Sequence, residues 1–226
     1  ISHTISEILI TSSKEVYLEI QLQENAQMLD EVVISSRSNN DEPLNKMALS
    51  GARMLSVEQA SRYAGGLDDP ARFVSAFAGV ASSASSNGIS IHGNAPHLLQ
   101  WRLEDIEIPN PNHFADIATL GGGILSSLSN KVLGNSDFFT SAFPAEYGNA
   151  VSGVFDMKFR NGNNQKNEHT LQIGVLGLEF ASEGPISKKH NSSYLINYRY
   201  STTGLMSKFM SDDLGGVFDY QDLNFK

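Results

Sequence analysis

Phe143-Pro144-Ala145-Glu146-Tyr147-Gly148-Asn149-Ala150-Val151-Ser152-Gly153-Val154-Phe155-Asp156-Met157-Lys158-Phe159-Arg160-Asn161-Gly162 reads as a glycine-rich turn feeding an alternating strand. Working upstream, residues 137–140 supply a further strand, and residues 99–108 another. In the latter Leu99, Trp101 and Leu103 share one face and Gln100, Arg102 and Glu104 the other. The phase shifts near Asp105, which places a turn there, and Asn110-Pro111-Asn112 ends the run. Residues 114–130 carry Ile117, Leu120, Ile124, Leu125 and Leu128 but are cut by Gly121-Gly122-Gly123, so two short helical pieces are expected.

Further upstream, Gly88-Ile89-Ser90-Ile91-His92-Gly93 reads as a short strand bounded by glycine, preceded by a small-residue loop over 81–86. Two helix starts come before it. Ser56 with Gln59 forms a capping box ahead of Val57, Ala60 and Tyr63, stopped by Gly65-Gly66. Asp69 as N-cap with Pro70 at the first helical position opens a segment with Phe73, Val74 and Phe77 on one side, closed by Gly79. Together these make a mixed α+β unit over residues 41–164, of ordinary domain size.

Beyond the polar break at 161–166 the pattern becomes long alternating runs without helix signals. Leu171, Ile173 and Val175 are apolar at odd positions and Leu176, Leu178 and Phe180 at even ones, so a turn or bulge lies within residues 174–177. Tyr194, Ile196, Tyr198 and Tyr200 then alternate with Leu195, Asn197, Arg199 and Ser201. That pattern fits a transmembrane β-barrel strand and equally any half-solvated antiparallel sheet. At the other end, residues 1–24 read as two strands, too few for a stable domain. They are expected to be the last part of a β-sandwich that begins earlier. Leu29-Asp30-Glu31-Val32-Val33-Ile34, followed by a polar stretch, reads either as an ordinary edge strand or as an extended peptide offered for strand addition.

The net charge of −9 disfavours non-specific binding to phosphate backbones, and hence nucleic acid, as well as anionic lipid surfaces. With no Cys there are no disulfides, thiolate metal sites or cysteine nucleophiles. No run approaches the roughly 20 apolar residues of a spanning helix, and the first residues do not look like a signal peptide, so an exported form would have lost its leader. Phosphate-loop, dinucleotide, H-E-x-x-H and G-x-S-x-G patterns are absent. His92, His97 and His113 with Asp105 or Asp116 could converge on a metal, but such residues more often bond loop carbonyls. Glu104 and Asp105 on a strand would face opposite ways, and Asp69 has a capping role. No enzyme signature and no cofactor site emerge.

Taken in order, these parts resemble a TonB-dependent outer-membrane receptor of the Bacteroidetes type. The resemblance rests on residues 88–94 with Ile91-His92-Gly93-Asn94, on 101–108, on 110–114 and on 143–162, with Pro144, Tyr147, Gly148, Gly153, Asp156, Arg160 and Gly162 as its motif positions. It implies an α+β fold. Residues 1–27 would be the remnant of a carboxypeptidase-regulatory-like β domain and 28–40 a TonB-box-like segment with linker. A four-stranded mixed plug with short helices would occupy 41–164, and 165–226 would be the first antiparallel strands of an incomplete barrel.

By the same resemblance Asp30, Glu31, Val32, Val33 and Ile34 would be the TonB box, lying in the periplasm and adding a strand to TonB. The plug would block the barrel in the outer membrane until ligand binds outside. Loops carrying Asn87, His97, Asn110, Asn112 and His113 would face outward toward an unidentified ligand, and a surface lipoprotein is a further implied partner. Gly148, Gly153 and Gly162 would permit sharp turns and close approach to the barrel wall. Glu183-Gly184-Pro185-Ile186 resembles the family's periplasmic turns.

Two positions depart from the family pattern. His92 stands where many plugs carry Arg, which removes a plug-to-barrel ion pair or makes it pH-dependent. Asp105-Ile106 replaces Asp-Gly, withholding the usual residue for a tight turn with positive φ. The rival reading is a free-standing cell-surface or periplasmic binding module, which predicts a closed C-terminal sheet. Orphaned barrel strands instead predict an exposed Tyr and Leu face.

Overall fold

The computed structural model describes residues 17, 42–63, 69–83, 86–117, 120–174, 177–187, 190–202 and 219–226. The expected β remnant over 1–27, apart from Tyr17, and the segment 28–40 lie outside the described residues. What is described is mostly β, with few helices and four separate sheets, none of them closed.

Five strands form the central mixed sheet: β1 (Ala52–Leu55), β8 (Ser136–Phe139), β9 (Gly153–Met157), β4 (Leu99–Leu103) and β5 (Ile106–Ile108), in that spatial order. Only β4 and β9 run parallel; the other pairings are antiparallel. The four-stranded expectation is corrected here. β1 is short, lies at the edge and pairs with a strand more than 80 residues away, so local alternation gave it no signal.

The register puts Arg53, Phe138, Phe155, Trp101 and Ile108 in one row across the sheet. That face is the main core, closed by α1 (Val57–Arg62), α2 (Pro70–Phe73), the 3-10 turn Val74–Ala76 and the hairpin of β2 (Val80–Ser83) with β3 (Ser86–Ile91). Phe138 and Phe155 are fully buried and meet edge to face at 5.4 Å, while Trp101 stacks on Phe155 at 5.4 Å. Each such aromatic contributes about 1.5–3 kcal/mol by leaving water. Both helix starts are capped as their residue types require: Ser56 accepts from the Gln59 N–H at 3.5 Å and Asp69 from the Ala71 N–H at 2.9 Å.

Three local expectations are corrected. Residues 81–83 belong to β2, since Ser and Ala at an edge strand need bury nothing. Residues 120–130 hold no helix; they turn through Gly121 at φ +77 into β7 (Leu125–Ser126), which pairs with β6 (Asn112–His113). Added side chains at Gly121 and Gly123 would strike the His97 and Asn112 regions, so close packing explains glycine here. The β4–β5 turn at Glu104-Asp105 has φ of +50° and +68°, so both central residues are left-handed without any glycine. Glu104 accepts from the Phe159 N–H at 2.7 Å, and Asp105 is paired with Lys158. These contacts offset the strain that Gly would have avoided.

A second, antiparallel sheet follows as a four-stranded meander: β10 (Glu168–Ile173), β11 (Gly177–Ser187), β12 (Ser192–Ser201) and β13 (Gln221–Phe225). The phase slip read at 174–177 is the connection between β10 and β11. Glu183 to Ile186, expected as a turn, instead lie within β11, with a register shift between Pro185 and Ser187. At Gly184 the Asn167 side chain occupies the space a Cβ would fill.

Candidate functional site

The chemistry of this chain concentrates along a polar seam between the two sheets. Register aligns Gln172, Glu179, Arg199 and Asp222 in one row and Thr170, Ala181, Asn197 and Asn224 in the next. This is the face turned toward the five-stranded unit. Arg160, just past β9, makes a two-pronged pair with Glu183, Nη1 to Oε2 at 2.6 Å and Nη2 to Oε1 at 2.8 Å. Glu183 is only 4% exposed and also accepts from the Asn163 N–H at 3.0 Å. Ser129 donates to Glu179, which also accepts from Asn197 at 2.7 Å.

At the other end of the seam Arg199 reaches the Ser126 carbonyl at 2.5 Å and Asp222 at 2.7 Å. His113 meets the second oxygen of Asp222 at 2.5 Å. Asn224 donates to the Ser127 carbonyl at 3.2 Å, and Lys226 to the Phe159 carbonyl at 3.0 Å. Gly162 lies so close to β12 that a Cβ would run into the Tyr194 carbonyl oxygen. Bidentate and charge-assisted bonds of this kind fix orientation as well as supplying energy.

The opposite face of the four-stranded sheet is apolar and open. One row crosses it as Leu171, Phe180, Tyr198 and Leu223, and a second begins Ile173, Leu178 and Tyr200. Leu171, Ile173 and Leu223 are 69%, 76% and 71% exposed, and Phe180, Tyr198 and Tyr200 are exposed too. The sheet therefore presents polar residues inward and apolar residues outward, the reverse of a sheet covering a water-soluble core.

A smaller polar cluster occupies the second face of the five-stranded sheet. Here the opening stretch folds over as a loop: the Tyr147 N–H bonds the Pro144 carbonyl at 3.0 Å, and the Tyr147 ring packs on Phe139 at 4.8 Å. The Tyr147 hydroxyl donates to Asp156 Oδ2 at 2.9 Å and accepts from Asn45 Nδ2 at 3.0 Å. The Arg102 guanidinium lies 5.1 Å over the same ring. Burial pushes the Tyr147 hydroxyl well above the ordinary phenol value. Asp137 stands opposite Asp156 in the β8–β9 register, and burial pushes both carboxyls up, with their mutual repulsion adding to the rise at Asp137.

The expected outward loops divide. His97 is exposed, but Asn87 and Asn112 are buried at 1% and 6% and bond one another, Nδ2 to Oδ1, at 3.0 Å. Asn87 also donates to Asp69 at 2.6 Å, and the Ser126 N–H donates to the same carboxylate oxygen at 2.8 Å. Asn110 closes the group through the Asn112 N–H and side chain and the Gly122 carbonyl. These asparagines tie α2, β3, β6 and β7 together. Short polar residues in a turn-rich sequence look the same whether they meet solvent or each other, which is why the sequence reading placed them outside.

Ile91 is fully buried, whereas His92, Gly93 and Asn94 form an exposed turn closed by the Asn94 N–H to the Ile91 carbonyl at 2.9 Å. Gly153 cannot carry a side chain, since it would meet Ile91 and the Phe139 carbonyl; Gly148 has open space and needs no special φ. Asp30, Glu31, Val32, Val33 and Ile34 lie outside the described residues. Among the described residues no group of three or more His, Asp or Glu is placed to hold a metal. No described helix is long and apolar enough to cross a membrane, which leaves crossing by strands untouched.

Three buried carboxyls give a pH expectation. Asp69, Asp137 and Asp156 are all raised, each chiefly by burial. A carboxyl raised on folding contributes stability that is fully present below its unfolded value and lost as pH rises through its folded value. Acidification from neutral pH into that window should therefore raise the urea midpoint, read by the single Trp101, before the remaining carboxylates cause acid unfolding. Asp156→Asn should remove part of the rise. A midpoint that falls steadily from neutral pH would refute this.

No family model matches the sequence, and no curated protein matches it. Among solved structures, the ferric enterobactin receptor of Pseudomonas aeruginosa is similar at 14% identity and a TM-score of 0.46, over 68% of this chain and 25% of that one. The siderophore receptor of Acinetobacter baumannii is similar at 16% and 0.48, over 66% and 24%. An outer membrane transporter of Escherichia coli is similar at 18% and 0.39, over 77% and 29%. The chain spans about a quarter of the length of the receptors it matches. These are partial likenesses of shape, with TM-scores below 0.5.

Proposed function

We propose that residues 41–164 are the plug of a TonB-dependent outer-membrane importer and that residues 165–226 are the first strands of the barrel around it. One observation carries this reading: the four-stranded sheet is inside out for water. Its charged and amide side chains bond to the five-stranded unit, while Leu171, Ile173, Leu178, Phe180, Tyr198, Tyr200 and Leu223 on its other face stand exposed. Such an arrangement is favourable when the outer face meets lipid and the inner face lines a filled lumen. In water the same face would be an association hazard.

On this reading the plug is a gate and coupling element without an active site or cofactor. It sits inside the barrel, blocks it and responds to an extracellular ligand. Asp30 to Ile34 serve as the TonB box, offered in the periplasm to TonB by strand addition. The rest of its own barrel is the plug's permanent partner, and a surface lipoprotein is a further candidate partner. The seam holds plug and barrel in register through Arg160 with Glu183, Arg199 with the Ser126 carbonyl and Asp222 with His113.

The test is fractionation of the source cells with an antibody to residues 41–163, comparing samples with and without boiling. A heat-shifting band in the outer membrane, several times heavier than 24.6 kDa, is expected. A soluble band at 24.6 kDa would overturn the proposal in favour of a free-standing binding module.

A further inference from the structure

The segment before β1 is attached in an unusual way. Leu44, Met47 and Leu49 are 50%, 72% and 92% exposed, so its large apolar side chains contribute little to holding it. It is held instead by polar contacts converging from β8 and from the 143–150 loop. The Leu44 and Asn45 N–H groups donate to the two oxygens of Asp137 at 2.8 and 2.7 Å. The Asn45 side chain donates to Glu146 and, at 3.0 Å, to the Tyr147 hydroxyl. Its own Oδ1 accepts from the Met47 N–H at 2.9 Å, which sets the local turn, and only Ala48 tucks against the Phe139, Tyr147 and Val154 cluster.

A left-handed glycine stands at the far end of this segment. Gly51 has φ +71 and abuts Ser141, while its carbonyl accepts from Thr140 at 2.7 and 3.0 Å, after which β1 enters the sheet. Core burial thus starts beyond Gly51, with Leu55 at 1% exposure. The anchoring carboxylate is itself part of a close pair: Asp137 faces Asp156, whose Oδ1 accepts no hydrogen bond and sees Lys158 only at 3.9 Å.

We propose that residues 44–48 are a releasable strap, clasped by the Asp137 carboxylate and by Asn45 and hinged at Gly51, that opens without disturbing the five-stranded sheet. The use of the strap rests on the energy-coupled reading above. Closed, the chain's first described anchor is Leu44, about ten positions after Ile34. Open, the strap adds the chain up to β1, about 26 Å of reach. The Asp137 clasp therefore sets how far a partner holding the upstream peptide stands from the sheet before any strand is loaded.

Amide hydrogen exchange on the full chain in detergent, with no partner added, tests the strap. Asp137→Ala should speed exchange at Leu44 and Asn45 at least tenfold while the Phe139 and Val154 amides between β8 and β9 keep their protection. Asn45→Ala, which leaves the sheet carboxylates in place, should speed the same two amides several-fold and serves if the first variant does not fold. Unchanged exchange at Leu44 and Asn45 in both variants would overturn the clasp. Equal loss of protection in β8 and β9 would overturn the strap as a separately opening unit. Because no energy-coupling protein is present, either failure is distinct from failure of the outer-membrane assignment, which fractionation decides.

Discussion

Arg160→Ala should loosen the two sheets from one another more than any other single truncation along the seam. Glu183 is 5% exposed at its side chain and has both oxygens on the Arg160 guanidinium, so removing the cation strands a buried carboxylate. Breaking one side of a buried pair costs about 3–5 kcal/mol; since Arg160 is 31% exposed and water can enter, about 2–3 kcal/mol is expected. Replacing both partners with apolar residues should recover much of that loss, because no uncompensated charge is left. Urea unfolding followed through Trp101 and through a label on β12 measures it as a double-mutant cycle. Additivity of Arg160→Ala and Glu183→Leu within about 0.5 kcal/mol would show that the pair is not coupled.

Phe180→Arg separates the two environments proposed for the outer face. Phe180 sits mid-strand in the row with Leu171, Tyr198 and Leu223 and is 43% exposed. Facing lipid near the midplane, an arginine there costs about 2–4 kcal/mol; facing water, an exposed substitution changes stability by about 0.5 kcal/mol or less. Refolding yield into lipid vesicles, compared with the unsubstituted protein, should fall sharply. An unchanged yield would count against a lipid-facing sheet.

What could be read beforehand was whatever has a local cause. The caps at Ser56 and Asp69 follow from side-chain oxygens three and two residues before the N–H groups they satisfy, and both appear. The alternation in β10 to β12 and the slip at 174–177 follow from the two-residue period, and the exposed Tyr and Leu face came with them. Residues whose roles depend on distant partners were not legible. Arg160 and Tyr147 stood out only as motif positions, and nothing nearby in sequence names Glu183 or Asn45 as what they hold. Asn87 and Asn112 went the other way, since an asparagine network 25 residues apart has no local signature and so reads as loop. The five-stranded sheet was missed for the same reason, at β1.

The Glu104-Asp105 turn carries a consequence for the order in which the chain can assemble. A two-residue hairpin usually closes early, since its ends are already neighbours. Here the left-handed pair has no glycine to make it cheap, and besides Arg102, which donates to the Asp105 carbonyl at 2.5 Å, what holds it arrives from 53 to 122 residues further along: Lys158, the Phe159 N–H and, at 3.2 Å, Lys226. The β4–β5 hairpin is thus a local element with non-local support, and it should settle late, after β9 has paired beside β4 and the last described strand has docked.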